Sequence, residues 1–241
     1  MTVSSGPDGT INGLVYCIDA GNRKSYPGSG TDAVDLIGGV SSILTNGPSF
    51  STDGVGSWSF DGSNDYLAIN NSSRKFQWTP SGAGSNTLTF EMWVKTSDSN
   101  GFFVSKPWNG NGEYNYYITN TGFQAGNNSG YFNLSYSQFA TGNWEHGVFI
   151  ITPTQITIYR NGVLNAGPSN HSLTVNTPTY GDFNDTHPLT IMSLYPYGSG
   201  WGGNTGFSIL GSVGLLKVYN RVLTATEVLR NYNATKSRFG V

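Results

Sequence analysis

The chain has 241 residues, of which 11% are charged and 14% aromatic, with 33 glycines, 10 prolines and a formal net charge of −2. Charge this scarce, against a usual ~25%, speaks against helices coated in Glu, Lys and Arg and for strands and turns surfaced with Ser, Thr, Asn and Gly. There is no Lys/Arg cluster to neutralise phosphates, so nucleic acid is not expected as a partner; no apolar run nears the ~20 residues that span a bilayer, so membrane insertion is not expected either.

In chain order, "MTVSSGPDGTIN" comes first, without an apolar pattern and without the basic and apolar regions of a signal peptide. Residues 1–12 are therefore expected to form a flexible arm, ordered only against a neighbouring subunit, with residues 13–241 as one domain. "GLVYCID" follows and carries Cys17, a lone cysteine that reads as a small buried hydrophobe. "GSWSF" and "DYLAI" are short strands joined by "DGSND", which fits a hairpin turn. In it Asp61-Gly62 supplies the positive φ, and Asn64 and Asp65 cap backbone amides. The same cluster is a calcium candidate, with Asp65 as its best ligand.

"TLTFEMWVKT" alternates most clearly, with Leu88, Phe90, Met92 and Val94 on one side and Thr89, Glu91, Trp93 and Lys95 on the other. Further short runs, from "GFFVSK" to "SVGLLKVYN", bring the count to about a dozen strands, the signature of a sandwich or barrel. Trp93 and Trp144 fall inside strand patterns and are expected in the core. "ITIYRNGVLN" predicts a two-residue type I′ hairpin at Asn161-Gly162. A single helix is predicted near Ala225–Tyr232, with Thr224 and Glu227 as a capping box and Val228, Leu229 and Tyr232 as its apolar stripe.

The order of "GLVYCIDAGNRKSYPGSG", "SFDGSNDYLAI", "TLTFEMWVKT", "GNWEHGVFI", "ITIYRNGVL" and "GSVGLLKVYNRVLTATEVLRNY" resembles the concanavalin A-like lectin/glucanase superfamily. Within it, the pattern is similar to the laminin-G-like domains of bacterial surface proteins and of structural proteins of tailed phages, cyanophages among them. The resemblance implies an all-β protein, a two-sheet antiparallel jelly-roll sandwich with one short C-terminal helix. It leaves the ligand open, because this fold serves lectins, hydrolases and spacers alike.

Catalytic patterns are weak. Glycoside hydrolysis needs two carboxylates across one sugar bond. The four glutamates, Glu91, Glu113, Glu145 and Glu227, never form the Glu-x-Asp-x-x-Glu strand motif of the superfamily's glucanases. His146, His171 and His187 lack metal spacing. No enzyme activity and no cofactor are expected, calcium at Asp65 aside. Sugar recognition needs aromatic faces beside Asn side chains and close backbone. Two glycine-rich loops carry that combination: Trp108, Asn109, Asn111 and Tyr114 in one, and Tyr197, Trp201 and Asn204 in the other. The same residues suit contact with another subunit.

Two readings follow. The first is a non-catalytic virion protein of a tailed phage, a capsid decoration, head-fibre or tail-associated subunit. It would be made in the host cytoplasm and partnered by capsid or tail subunits and by itself as a homo-oligomer, with host-surface polysaccharide as a further ligand. The second is an extracellular bacterial carbohydrate-binding protein; a glycoside hydrolase comes a distant third.

Overall fold

The structure is a computed structural model that describes residues 9–70, 75, 76, 78, 86–106, 115–127, 130–172, 188–194 and 208–241. Its strands, numbered in chain order, form two eight-stranded antiparallel sheets. The back sheet runs β14 (Val163–Asn170), β13 (Gln155–Arg160), β12 (Trp144–Ile151), β7 (Leu88–Thr96), β16 (Leu210–Tyr219), β5 (Ser57–Asp61) and β4 (Ser49–Ser51), and β1 (Leu14–Asp19) pairs with the far half of β16. The front sheet runs β11 (Gly130–Ser135), β10 (Gly122–Asn127), β9 (Asn115–Thr119), β8 (Phe102–Lys106), β15 (Leu189–Ile191), β6 (Tyr66–Ile69), β3 (Ser41–Thr45) and β2 (Asp32–Val34). Helix α1 (Ala225–Thr235) follows β16 and continues into a 3₁₀ turn over Lys236–Phe239. This is the expected jelly-roll sandwich with one C-terminal helix.

Alternation builds the core between the sheets. Leu88, Phe90, Met92 and Val94 of β7 enter it beside Phe149, Ile156 and Ile158 from the back sheet. Leu67, Ile69, Tyr116, Ile118, Phe123, Leu189 and Ile191 enter from the front sheet. At Asn161-Gly162 the φ angles of 51° and 80° give the predicted hairpin, with Arg160 opposite Val163.

The residues of β7 on its other side are nearly all buried too, because α1 lies across the back sheet. Trp93 stacks on Phe239 with centroids 4.3 Å apart, and its indole Nε1 donates to Thr235 Oγ1 at 2.8 Å. Gly214, at a bulge in β16, makes room for that ring: a Cβ there would sit 2.5 Å from Phe239. Trp144 packs into the same cluster with Cys17 and Leu215. Trp93 and Trp144 are therefore buried as expected, but under the C-terminal segment rather than between the sheets. Cys17 is buried as predicted, and burial pushes its thiol up to about 12.

At the centre of this covered face is Glu91, fully buried. Its carboxylate accepts from Lys217 Nζ at 3.1 Å, Tyr219 Oη at 3.0 Å and Asn231 Nδ2 at 2.6 Å, and lies 3.3 Å from His146 Nε2. Burial alone would raise the Glu91 carboxyl; the Lys217 ammonium and the His146 hydrogen bond outweigh it and hold the group well below the usual carboxylate range.

Three expectations need correction. The arm expected over residues 1–12 does not include Thr10, which is buried: its amide donates to Asn231 Oδ1 at 2.7 Å and its carbonyl accepts from Tyr219 Oη at 3.1 Å. Thr10 thus docks on the chain's own helix and β16, since the buried Asn231 and Tyr219 offer it polar partners, while Ile11 and Asn12 are exposed; residues 1–8 lie outside the described residues. The "DGSND" turn is not a hairpin, because β5 belongs to the back sheet and β6 to the front, so it is a corner between sheets. On α1, Val228 and Asn231 are buried while Leu229 is 46% exposed, because the helix turns its polar Asn231 inward to reach Glu91.

Two predictions follow from the packing. Lys217→Met leaves the Glu91 charge buried without its ammonium and should cost about 3–5 kcal/mol of stability in chemical denaturation. Adding Glu91→Gln should recover part of that loss, and strict additivity of the two changes would show that the pair is not coupled. The capping box is present, and the Glu227 carboxylate pairs with Arg221 at 2.6 Å. The Arg221 hydrogen bond lowers Glu227 from its ordinary 4.5 to about 2, so its contribution is complete above pH ~4.5 and is lost as pH falls through about 2. The stability difference between wild type and Glu227→Gln should therefore be flat near neutrality and shrink toward pH 2; a difference that grew in acid would contradict this.

Candidate functional site

The outer face of the back sheet carries α1, which packs over β7, β12 and β16; the outer face of the front sheet is the sandwich's other broad face. Cross-strand pairing sets a continuous row over it: Asn133 on β11, Gln124 on β10, Tyr117 on β9, Ser105 on β8, Thr190 on β15 and Ala68 on β6. Each is the outward member of its strand, because its neighbours along the strand, such as Ile118, Phe123, Leu134, Val104, Leu189 and Ile191, pack toward the core. Asn133 and Gln124 are exposed, Tyr117 is half-buried, and Ser105 and Thr190 are buried. Phe102, also half-buried, meets Tyr117 edge-to-face at 5.4 Å. A bulge at β8 sends both Phe103 and Val104 inward and so returns Ser105 to the outer face.

The seven residues predicted to contact sugar or a subunit, Trp108, Asn109, Asn111, Tyr114, Tyr197, Trp201 and Asn204, lie outside the described residues, but the stems of both loops are described. Segment 107–114 begins directly after Lys106, the residue that follows Ser105. Segment 195–207 leaves from Leu194 and returns at Ser208. That stem is fixed beside Ser105: Thr190 Oγ1 lies 3.3 Å from Ser105 O and 3.0 Å from Ser193 O, and Ser193 Oγ bonds Ser208 Oγ at 2.9 Å. The two loops singled out in the sequence thus spring from either side of one serine. The face residues themselves were missed in the sequence. Their signal is the period-2 alternation of "NYYIT", "GFQAGN" and "YFNLS", which marks outward positions only once the pairing is known.

The acidic candidates are engaged elsewhere. Asp65 Oδ2 accepts the Asp61 amide at 3.1 Å, the capping expected of it, while the second cap comes from Asp61, whose Oδ1 accepts the Ser63 amide at 2.8 Å, and not from Asn64, which takes part through its backbone. Asp65 is buried, and burial raises its carboxyl. Glu91 is sealed beneath α1, Glu145 is buried and paired with Arg160, and Glu227 caps the helix. His146 sits with Glu91, and His171 Nε2 lies 3.2 Å from Thr152 O; Glu113 and His187 are outside the described residues.

Comparison with known proteins agrees with this architecture. A laminin-G family model (Laminin_G_3), described as concanavalin A-like lectin/glucanases superfamily, matches residues 61–229. The chain belongs to that superfamily. No curated protein matches it. Among solved structures, the sialidase of Trypanosoma rangeli, in complex with 2,3-difluorosialic acid, aligns over 97% of this chain at 15% identity and a TM-score of 0.65. The chain spans only 35% of that sialidase's length. Domain 4 of AbnA, a GH43 extracellular arabinanase from Geobacillus stearothermophilus in complex with arabinotriose, aligns over 91% of this chain and 98% of its own, at 14% identity and a TM-score of 0.60. The binding domain of Paraclostridial Mosquitocidal Protein 1 aligns over 92% of this chain and 52% of its own, at 13% identity and a TM-score of 0.64. At such identities the likeness is one of fold.

Because Asp65 is spent on its own turn, a chelator should shift the melting temperature little, and Asp65→Asn should respond to calcium as the wild type does. A calcium-dependent rise that Asp65→Asn abolished would instead assign the corner as an ion site.

Proposed function

We propose that the protein is a non-catalytic carbohydrate-binding sandwich that engages glycans with the outer face of its front sheet and the loops rooted there. The observation that carries this reading is the convergence of the Tyr117–Phe102 pair, the Gln124 and Asn133 amides and the stems of both aromatic loops around Ser105. Aromatic faces take the C–H side of a sugar ring, and amides and hydroxyls take its hydroxyls. The likeness to a sandwich domain solved with arabinotriose, matched over nearly its whole length, supports the same reading. The placement of Glu91, Glu145 and Glu227 in structural roles supports a binding role over a hydrolytic one.

The setting we favour is the particle of a tailed phage, in which the sandwich is a capsid-, fibre- or tail-associated subunit assembled as a homo-oligomer. That part rests on the sequence resemblance and on the low surface charge. Mass spectrometry of purified particles tests the location, and light scattering tests the assembly. A glycan array with the intact protein tests the binding. Trp201→Ala should weaken retention on the bound glycan by about tenfold, as expected for loss of an aromatic anchor. Release of reducing sugar from a bound glycan, lost on replacing Glu113, would move the reading to a hydrolase.

A further inference from the structure

The polar cluster beneath α1 brings a lysine, an amide and a carboxylate together in one buried site. Lys217 stands directly opposite Glu91 on the neighbouring strand, and its Nζ meets Glu91 Oε1 at 3.1 Å. Asn231, from the helix, sets its amide Nδ2 on the other oxygen, Oε2, at 2.6 Å and 3.2 Å from Tyr219 Oη. Its Oδ1 takes the Thr10 N–H at 2.7 Å, and the partners on either side set which atom of the amide is oxygen and which is nitrogen. Glu91 and Asn231 are fully buried, and the Lys217 side chain is only 12% exposed. Gly9 lies over both groups: a Cβ there would sit 3.5 Å from Lys217 Nζ and 3.7 Å from Asn231 Oδ1. His146 Nε2 stands 3.3 Å from the oxygen that holds Lys217, and the buried rings of Trp93 and Tyr219 complete the surroundings.

The order of these contacts is that of an acyl transfer. An amine sits on one oxygen of a carboxylate, the nitrogen of an amide sits on the other, and a backbone N–H points at the carbonyl oxygen on which negative charge would develop. A buried ion pair needs partners, but it does not need an amide placed so that nucleophile and leaving group share one proton carrier.

We propose that Lys217 and Asn231 become joined by an isopeptide bond, which the folded chain forms on itself with Glu91 as the proton carrier. Lys217 Nζ gives a proton to Glu91 Oε1, and the freed lone pair attacks Asn231 Cγ. The carbonyl electron pair moves onto Oδ1, where the Thr10 amide receives the charge. Glu91 passes its proton to Nδ2 and takes one from the attacking nitrogen as the Cγ–Nδ2 bond breaks. Ammonia leaves, a secondary amide links β16 to α1, and one proton remains on Glu91. The balance requires no oxidant and no outside reactant. The first proton transfer is uphill, because the Lys217 ammonium and His146 hold the carboxyl below its usual range, so the bond forms slowly and once per chain. The product is favoured because two buried charges become a neutral acid and a neutral amide. The bond clamps a helix whose own apolar stripe is narrow to the middle of the back sheet.

Mass spectrometry of the intact wild-type chain, incubated for days at neutral pH, tests this without any substitution. The expected mass, with or without Met1, lies about 17 Da below that of the sequence, the loss of one ammonia. After denaturation, trypsin should then fail to cut after Lys217, and the peptide ending at Arg221 should carry residues 231–236 as a branch. Lys217→Arg keeps the cation and removes the nucleophile, and Glu91→Gln removes the proton carrier; both should show the full mass and no branch. Near-UV circular dichroism of Lys217→Arg separates loss of the bond from loss of the fold. A wild-type chain of full mass overturns the proposal and leaves a plain buried ion pair. So does a loss of the same size that maps to an Asn-Gly pair, such as Asn46-Gly47 or Asn161-Gly162, without a branch. A branch that forms undiminished in Glu91→Gln overturns the part assigned to Glu91.

Discussion

A buried carboxylate organises the back of this sandwich. Glu91 stands on the middle strand of a sheet whose outer face would ordinarily meet water, and a charge there without partners would cost several kcal/mol. It is matched instead by groups from three directions: Lys217 and Tyr219 from β16, His146 from β12 and Asn231 from the helix. Asn231 in turn receives the Thr10 amide, so one side chain ties the strand core, the C-terminal helix and the N-terminal segment together. The helix has only a narrow apolar stripe of its own. Its position depends on this polar lock and on the stacked rings of Trp93, Tyr232 and Phe239.

That constraint also sets the two sheets apart in charge. Once the helix covers the back sheet, the charged residues there are used in internal pairs, such as Glu145 with Arg160 and Asp19 with Arg238. The front sheet is left nearly free of charge, with hydroxyls, amides and two aromatic rings facing outward. The strongest catalytic candidate by residue type, Glu91, is thereby removed from any substrate by the same lock that fixes the fold.

The likeness to a sialidase, an arabinanase domain and a toxin's binding domain places the scaffold without transferring an activity, because identities of 13–15% preserve packing and not side-chain chemistry. Two features of this chain are local: a bulge that turns the buried Ser105 to the outer side of β8, and the stems of two glycine-rich aromatic segments that meet beside it.

Much of the architecture was legible in the residues themselves. The all-β class followed from low charge and short alternating runs, the Asn161-Gly162 hairpin from the positive φ that only such a pair adopts easily, and the helix start from the Thr224–Glu227 box; these are local rules, decided within a few residues. The tertiary structure alone decided matters that depend on which strand lies beside which. It turned "DGSND" from a hairpin into a corner, because sheet membership is a long-range property. It buried Asn231 in place of Leu229, because a partner for Glu91 had to come from elsewhere in the chain, and it drew Thr10 onto the domain, because the buried Asn231 and Tyr219 had hydrogen-bonding groups to fill. It also aligned Asn133, Gln124, Tyr117 and Ser105, four residues from four strands, into one face, since alternation tells which residues share a side of one strand but only pairing tells which residues share a surface.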